Sequence, residues 1–273
     1  MSRNAFPPVS KYLTLTRAGI MEGLSFRTSY LVAFFGNLVY LVVIYCLWRA
    51  IYDSSPTDTV NGMTFTDTMI YLVLAAALFN LMNAFIVWDI GRNIQSGKIV
   101  LDIIKPMKFH NYMFFYYTGG YIFAFFTTFL PTFLLICVIA QGAIQLGLNL
   151  LFFAVSILLG IIINFSVDFF VSAICLYTQS IYGINIMKEV VVLLLSGATV
   201  PIAFFPEPLK SAVIYLPFQA IYNTPLRILI DRTLTVKDYA EMLGIQFFWA
   251  ILTFTACTLF WRKSLKIITV NGG

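Results

Sequence analysis

The sequence predicts an all-α integral membrane protein with six transmembrane helices. Of its 273 residues, 60% are hydrophobic and only 11% are charged, whereas soluble domains are roughly 25% charged. The mean hydropathy of +0.88 is that of a chain whose apolar surface faces lipid. Six apolar runs reach the roughly 20 residues that a helix needs to cross the hydrocarbon core of a bilayer.

The predicted spans follow from the positions of these runs. A seventh apolar stretch, 212–230, contains Pro217, Pro225 and Arg227, and prolines interrupt the hydrogen bonding of a helix. We therefore expect it to form short re-entrant or interfacial helices on the extracellular side, between spans five and six. The six runs are 29–51, 68–88, 112–140, 148–177, 186–204 and 239–261.

The distribution of basic residues predicts the orientation of the chain. Most of the 17 Lys and Arg residues fall in segments that are cytoplasmic if the N-terminus is inside, as expected for cytoplasmic loops. We expect both termini in the cytosol and, in view of the basic inner face, the protein in a bacterial plasma membrane. The domain prediction is a single unit, 1–273, made of a cytoplasmic amphipathic helix (1–28), the six-span bundle (29–261) and a cytoplasmic tail (262–273).

Several classes of chemistry are not expected. The chain has one histidine and four cysteines, and the cysteines lie apart within apolar runs, which predicts neither a metal site nor a disulfide framework. The segment "GRNIQSGKI" resembles a phosphate-binding loop, but Ile99 occupies the position of the magnesium-binding hydroxyl and the glycines are too far apart. We therefore predict no catalytic residues, no metal site and no cofactor bound by this chain.

A basic segment, "NIQSGKIVLDIIKPMKFHNY" (93–112), separates the second and third spans. Ser96 is a candidate N-cap, and the residue before Pro106 is a candidate end of a short helix. Its charged residues share one narrow stripe: Lys98, Asp102 and Lys105. The other positions are apolar: Ile99, Val100, Ile103 and Ile104. Two interpretations remain open, an interfacial helix that contacts anionic lipid and a docking helix for a cytosolic partner.

Polar residues within the spans are candidates for a transport path. Asp168 is either a substrate-path or gating group or a structural carboxylate that is hydrogen-bonded to another helix, and we see no basic partner for it in the spans. Asn80 and Asn83 share one face, which indicates a dimer seam or a pore wall. Asp89 and Arg92 are one turn apart and predict a local ion pair that braces span two against the following helix.

Two segments together carry a resemblance to a known family. The stretch "SGATVPIAFFPEPLKSAVIYLPFQAIYNTP" (196–225) passes from a span through small residues and prolines to "LPF". With "SGKIVLDIIKPMKF" after span two and the basic tail "WRKSLKIITVNGG", the chain resembles the membrane subunit of a type-2 ATP-binding-cassette exporter. The resemblance implies six spans, cytosolic ends, a coupling helix after span two, and re-entrant helices between spans five and six.

The resemblance also implies partners. The coupling residues would insert into a groove of a separate cytosolic ATPase dimer, which would hold ATP and magnesium; they are Lys98, Ile99, Leu101, Asp102 and Lys105. A second permease chain, identical or related, would complete the pathway through the lipid bilayer. The chain would not itself be an enzyme, and no nucleic acid is expected. The substrate would be a drug, a peptide or a lipid-like molecule.

Two other functions are alternatives. An integral-membrane enzyme that modifies lipid needs clustered His, Asp or Glu near one leaflet, and the acids of this chain are scattered. An ion-coupled transporter usually contains internal repeats and several ionisable groups within its spans, and here we find only Asp168. Turnover of lipid by the purified chain would favour the first, and gradient-driven transport without an ATPase would favour the second.

Overall fold

A computed structural model describes residues 8–25, 27–140, 142, 144, 147–178 and 180–267. The predictions for residues 1–7, 26 and 268–273, at the ends of the N-terminal segment and of the tail, lie outside the described residues. The predicted fold class is confirmed, since the structure is helical apart from one hairpin. Its helices, in chain order, are α1 (Pro8–Ser25), α2 (Arg27–Asp53), α3 (Phe65–Met82), α4 (Ile86–Gln95), α5 (Ile99–Ile103), α6 (Phe109–Ala124), α7 (Leu130–Ile139), α8 (Leu148–Thr178), α9 (Tyr182–Leu195), α10 (Glu207–Val213), α11 (Gln219–Ile230) and α12 (Val236–Ser264).

A two-stranded hairpin joins α2 to α3. Strands β1 (Thr59–Val60) and β2 (Met63–Thr64) pair antiparallel, with Thr59 opposite Thr64. The connecting residues Asn61 and Gly62 both have positive φ values, 50° and 81°, which is the geometry that a two-residue hairpin turn favours. Thr64 then caps α3 through a reciprocal pair of hydrogen bonds with Asp67, so the hairpin fixes where the second span begins.

Five helical stretches in the described part of the chain are long and apolar enough to cross a membrane: Phe35–Asp53, Phe65–Gln95, Phe109–Ile139, Leu148–Thr178 and Val236–Ile267. The predicted fifth span, 186–204, is shorter than expected, because its helix α9 has 14 residues and ends at Leu195. At 1.5 Å per residue, α9 is about 21 Å long against roughly 30 Å of hydrocarbon. The chain then continues through a short 3₁₀ helix, Ile202–Phe204, and α10.

The predicted second span is interrupted, which the sequence analysis did not anticipate. Helix α3 ends at Met82 and α4 begins at Ile86. The interruption leaves carbonyl groups without helical partners inside the bundle, where an unpaired carbonyl is costly. The side chain of Asn164 donates from Nδ2 to the Met82 carbonyl oxygen at 2.9 Å. One asparagine of α8 therefore stabilises the break.

The third span contains a wider turn in its middle. A π-helical turn, Phe125–Phe129, joins α6 to α7, and Pro131 follows it within the first turn of α7. A proline lacks the N–H group that would bond four residues back and clashes with that carbonyl. The π-helical turn ends just before this proline, so the span continues to Ile139.

Helix α8 lies at the centre of the bundle and packs against α4, α11 and α12. The expected short helices between spans five and six are α10 and α11. Almost every residue of α11 is buried, which favours a re-entrant position for this helix over an interfacial one. Pro225 lies inside α11 without ending it. An added Cβ at Gly160 would lie 3.4 Å from the carbonyl oxygen of Ile221, the oxygen that Pro225 leaves without a helical donor. Gly160 of α8 therefore faces the backbone of α11 at a distance of ordinary van der Waals contact.

The N-terminal helix α1 packs along α6. An added Cβ at Gly19 would lie 2.1 Å from the carbonyl oxygen of Tyr116, and one at Gly119 would lie 2.2 Å from that of Thr16. Only glycine fits at both positions, because such distances are far below van der Waals contact. The Thr16 hydroxyl also donates to the Phe115 carbonyl at 2.9 Å. The backbones of α1 and α6 are therefore in direct contact at these glycines.

Candidate functional site

The predicted docking helix is α5, and it is shorter than the sequence suggested. Ser96 is not its N-cap: the Ser96 N–H donates to the carbonyl oxygens of Arg92 and Ile94 and ends α4. Gly97 follows with a φ of 72°, the left-handed conformation that often follows the end of a helix. The chain therefore turns sharply at Gly97, and α5 starts with Lys98 as its N-cap.

The acidic and basic side chains of α5 and its end are occupied within the protein. Lys105 Nζ lies 2.7 Å from Asp102 Oδ1, and Asn93 Nδ2 of α4 donates to Asp102 Oδ2 at 3.2 Å. Lys105 Nζ also lies 3.9 Å from the ring centroid of Tyr112 in α6. Burial opposes the charge of Lys105, but its hydrogen bonds with Asp102 and Tyr112 outweigh this and raise the pKa of the ammonium group. These contacts hold the segment between α4 and α6.

A different face of the segment is free of these contacts. Lys98 is exposed, and Leu101 and Ile104 expose 63% and 71% of their surface. They are spaced three residues apart and lie on one side of the turn, a surface that we call the outward face. Ile99, in contrast, is only 3% exposed and packs into the core. The expected charged ridge is thus wrong: the outward face carries two large apolar side chains beside one lysine.

The predicted brace, Asp89 and Arg92, is built differently from the expected ion pair. The Tyr117 hydroxyl of α6 donates a hydrogen bond to Asp89 Oδ2 at 2.7 Å. The Arg92 guanidinium lies over the ring of Trp88, 5.9 Å from its centroid. The two side chains therefore have separate partners. Asp89 links α4 to α6 instead of forming a local pair with Arg92.

Two tyrosines extend these contacts to the N-terminal helix. Tyr112 and Tyr116, one turn apart on α6, stack with ring centroids 6.2 Å apart. The Tyr116 hydroxyl donates to Glu22 of α1 at 2.6 Å. Helices α4, α5, α6 and α1 therefore form one hydrogen-bonded and aromatic assembly beneath the bundle.

A comparison with known families gives a match over most of the chain. The family described as "ABC-2 family transporter protein" matches residues 38–272, which is most of the chain. The chain belongs to the ABC-2 transporter family. This permease is accordingly a transporter membrane subunit and is not itself catalytic. Helix α1 and the start of α2 precede the matched region, and comparison with curated proteins gives no match.

Asp168 of the ABC-2 permease has a partner that the sequence analysis missed. Lys188 Nζ of α9 lies 2.9 Å from Asp168 Oδ1, and the two side chains are 16% and 3% exposed. The prediction that no basic partner is available is therefore wrong. The serines that flank Asp168 do not supply its partner, since Ser166 and Ser172 each donate to a carbonyl of their own helix. The ion pair joins α8 to α9.

A cleft of about 320 Å³ lies between α2, α3 and the end of α9 of the permease. Two carboxamides, Asn37 and Asn80, line it together with apolar walls such as Phe79 and Leu193. The Asn80 amide donates to the Ala76 carbonyl of its own helix at 2.9 Å, so its Oδ1 remains available as an acceptor. Asn83 is not among the lining residues; it is the exposed C-cap of α3, so of the two asparagines only Asn80 lies at the cleft.

Helix α4 contacts the start of α9, and this connects the docking segment with the cleft. An added Cβ at Gly91 would lie 2.7 Å from Ile181 Cγ1, so the two elements touch without a gap. Trp88 and Tyr182 also approach, with ring centroids 6.0 Å apart. Leu193, at the other end of α9, lines the cleft. The elements α5, α4 and α9 thus follow one another from the outward face to the cleft.

Sequence reasoning found the docking segment and missed the residues that position it. Asn93, Tyr117 and Lys188 are polar groups near the ends of predicted spans, where polar residues are ordinary. Asn164 carried a stronger signal, because a carboxamide deep in an apolar run requires a partner. Ile104 was assigned to the apolar side of the helix, and its exposure became evident only once α5 was oriented.

Proposed function

We propose that this permease exports its substrate from the cytosol with energy from a separate ATPase subunit, and that the outward face of α5 is the surface that the ATPase grips. The observation that carries the proposal is the division of α5 into two sides. Asp102 and Lys105 bind to the permease itself, while Leu101 and Ile104 remain exposed.

Two exposed branched side chains beside a lysine suit a protein groove better than water. Interfaces bury apolar anchors at their centre and keep charges at the rim. Leu101 and Ile104 would enter the groove, and Lys98 would contact an acidic rim. The contacts of Asp102 and Lys105 with α4 and α6 would make α5 move together with these helices when the ATPase moves.

The contacts above α5 support a route for that movement. Displacement of the outward face would move α4, which touches the start of α9 through Gly91 and Ile181. Leu193 at the far end of α9 would then move in the wall of the cleft. A ligand changes a protein's conformation only through its differential affinity for two states, and here ATP in the partner would supply that difference.

The cleft supports a substrate with a large apolar part and a few hydrogen-bonding groups. Its lining residues Asn37, Tyr40, Asn80 and Thr199 supply amide and hydroxyl groups. Among the lining residues that the structure describes, the Tyr40 phenol is the one ionisable group. Drug-like, peptide and lipid-like molecules of this kind fit the proposal. Helix α2 leaves most of its apolar face exposed, which supports a second permease chain opposite the cleft. ATP and magnesium would be held by the ATPase dimer.

The proposed location follows from charge and length. The chain would lie in the plasma membrane of a bacterium, with both termini in the cytosol. The basic segment 93–112 would face the cytosol, where basic loops are favoured.

The experiment is co-purification of the permease with the ATPase subunit, followed by substitution of the outward face. We expect Leu101→Glu with Ile104→Glu to reduce ATPase binding at least about 30-fold, since losing even one apolar anchor costs about 2 kcal/mol. The control is Lys263→Glu, an equally exposed position at the end of α12, which should bind normally. Unchanged binding by the double variant, with normal folding, would contradict the proposal.

A further inference from the structure

The buried ion pair between Asp168 and Lys188 has a position that suggests a role in transport. Lys188 lies in the middle of α9, six residues after Tyr182 and five before Leu193. These separations correspond to about 9 Å and about 7.5 Å along the helix axis. Tyr182 contacts α4 and Leu193 lines the cleft. The ion pair therefore lies between the end of α9 that contacts α4 and the end that lines the cleft.

Helix α9 is otherwise attached to the bundle by few side chains. Only Asn185 and Val192 of this helix are buried, whereas Ile186, Met187, Val190 and Leu194 are exposed. The Asn185 amide is occupied within α9, since it donates to Glu189 at 2.6 Å. The contact of Lys188 with Asp168 is thus the main polar link between α9 and α8.

An ion pair in this environment holds its two helices at a fixed point. In a low-dielectric interior, separating the charges is costly, because each would remain without a partner. Glu189 is the other charged group of α9 near the pair, and it is exposed. The pair therefore resists separation while the helix on either side, with its exposed apolar face, can tilt.

We propose that Asp168 and Lys188 are positioning residues that form the pivot of α9. A displacement of α4 at the Tyr182 end would tilt α9 about this pivot and move Leu193 in the opposite direction, which changes the width of the cleft. The inference rests on the proposed function, since the displacement of α4 comes from the ATPase. It adds that α9 moves as a lever and that the buried charges do not contact the substrate.

The test uses the complex of permease and ATPase in lipid nanodiscs. The Leu193→Cys variant also carries Cys46→Ser and Cys137→Ser. The rate at which its new thiol reacts with a polar maleimide reports the width of the cleft. We expect ATP to change this rate about tenfold, a typical size for coupling between two sites. In the neutral pair Asp168→Asn with Lys188→Met, the change should fall to about twofold or less, while ATPase binding stays normal.

A matched control is the exposed pair Lys237–Glu241, with side chains 84% and 64% exposed. Lys237→Gln with Glu241→Gln should keep the full effect of ATP. The charge exchange Asp168→Lys with Lys188→Asp should restore part of the effect if attraction between the two positions is what matters. A neutral pair that retains the full ATP-dependent change overturns the inference.

A second measurement needs no change in the ion pair. Spin labels at Phe170 and Met187 lie near the pivot, and labels at Leu158 and Leu194 report the far end of α9. We expect ATP to change the second distance and leave the first unchanged. Equal changes, or none while the ATPase binds and hydrolyses ATP, overturn the lever and leave the proposed function standing. Failure of the unmodified permease to bind an ATPase would count against the proposed function itself.

Discussion

Asn164 of α8 donates a hydrogen bond to the carbonyl oxygen of Met82, 2.9 Å away, at the point where the second span is interrupted. The bond joins the end of α3 to the central helix of the bundle. On one side of the break, α3 packs against α2 and α11; on the other, α4 packs against α8 and leads to α5. The two halves of this span therefore pack against different helices: α3 against α2 and α11, and α4 against α8.

Removing the Asn164 amide should destabilise the permease. Asn164→Leu removes one of two donors to the Met82 carbonyl, because the Ala84 N–H still donates to it at 3.0 Å; the loss of one hydrogen bond costs about 1 kcal/mol. We expect a lower midpoint of thermal unfolding in detergent. Asn80→Leu is the matched control, because the Asn80 amide bonds only within its own helix. An equal loss of stability in both variants would show that the bond to Met82 has no special role.

Adding a methyl group at the glycine contact should detach α1. Gly119→Ala would place a Cβ against the backbone of α1, whereas an added Cβ at Gly120 meets nothing within 4 Å. We expect faster proteolysis within α1 for Gly119→Ala and wild-type resistance for Gly120→Ala. Normal resistance of both variants would contradict the close packing of α1 on α6.

A carboxylate at position 93 should weaken ATPase binding although Asn93 lies outside the outward face. Asn93→Asp replaces a donor to Asp102 by a second negative charge, and like charges repel at this distance. The altered α5 would present Leu101 and Ile104 in a less defined orientation. Asn93→Ala removes the donor without adding a charge and should weaken binding less. Normal ATPase binding by Asn93→Asp would indicate that Asp102 does not position α5.

The stability that the Asp231 carboxylate contributes in the loop after α11 should depend on pH. Burial raises the pKa of the Asp231 carboxyl, but hydrogen bonds from Thr233 and Arg227 outweigh this, and the pKa lies below its usual value. A group of this kind contributes stability above its unfolded pKa of about 4 and loses it as the pH falls through the folded pKa. We expect Thr233→Ala to lower the unfolding temperature at neutral pH, with a smaller difference from wild type at low pH. A difference that does not depend on pH would contradict this.

The sequence alone determined the membrane character of the chain, the positions of most spans and the location of the short helix between the second and third spans. Each depends on local properties, since hydrophobicity along about 20 residues decides whether a helix can cross the bilayer and clustered lysines and arginines decide which loops stay inside. The stripe of Lys98, Asp102 and Lys105 was also visible. The orientation of this helix was not visible. Periodicity shows which side chains share a side of a helix, but it does not show which side packs against the rest of the protein.

Only the tertiary structure decided which residues meet. Asp168 and Lys188 are 20 residues apart, and Asn164 and Met82 are 82 apart. The choice of partner depends on how α8, α9 and α3 pack, and nothing in the spacing of a single helix encodes it. The same reason explains α11: its prolines predict an interruption, but its packing against α8 buries almost all of it inside the bundle. Local sequence sets what each segment can form, and packing between distant segments sets which surfaces remain free to function.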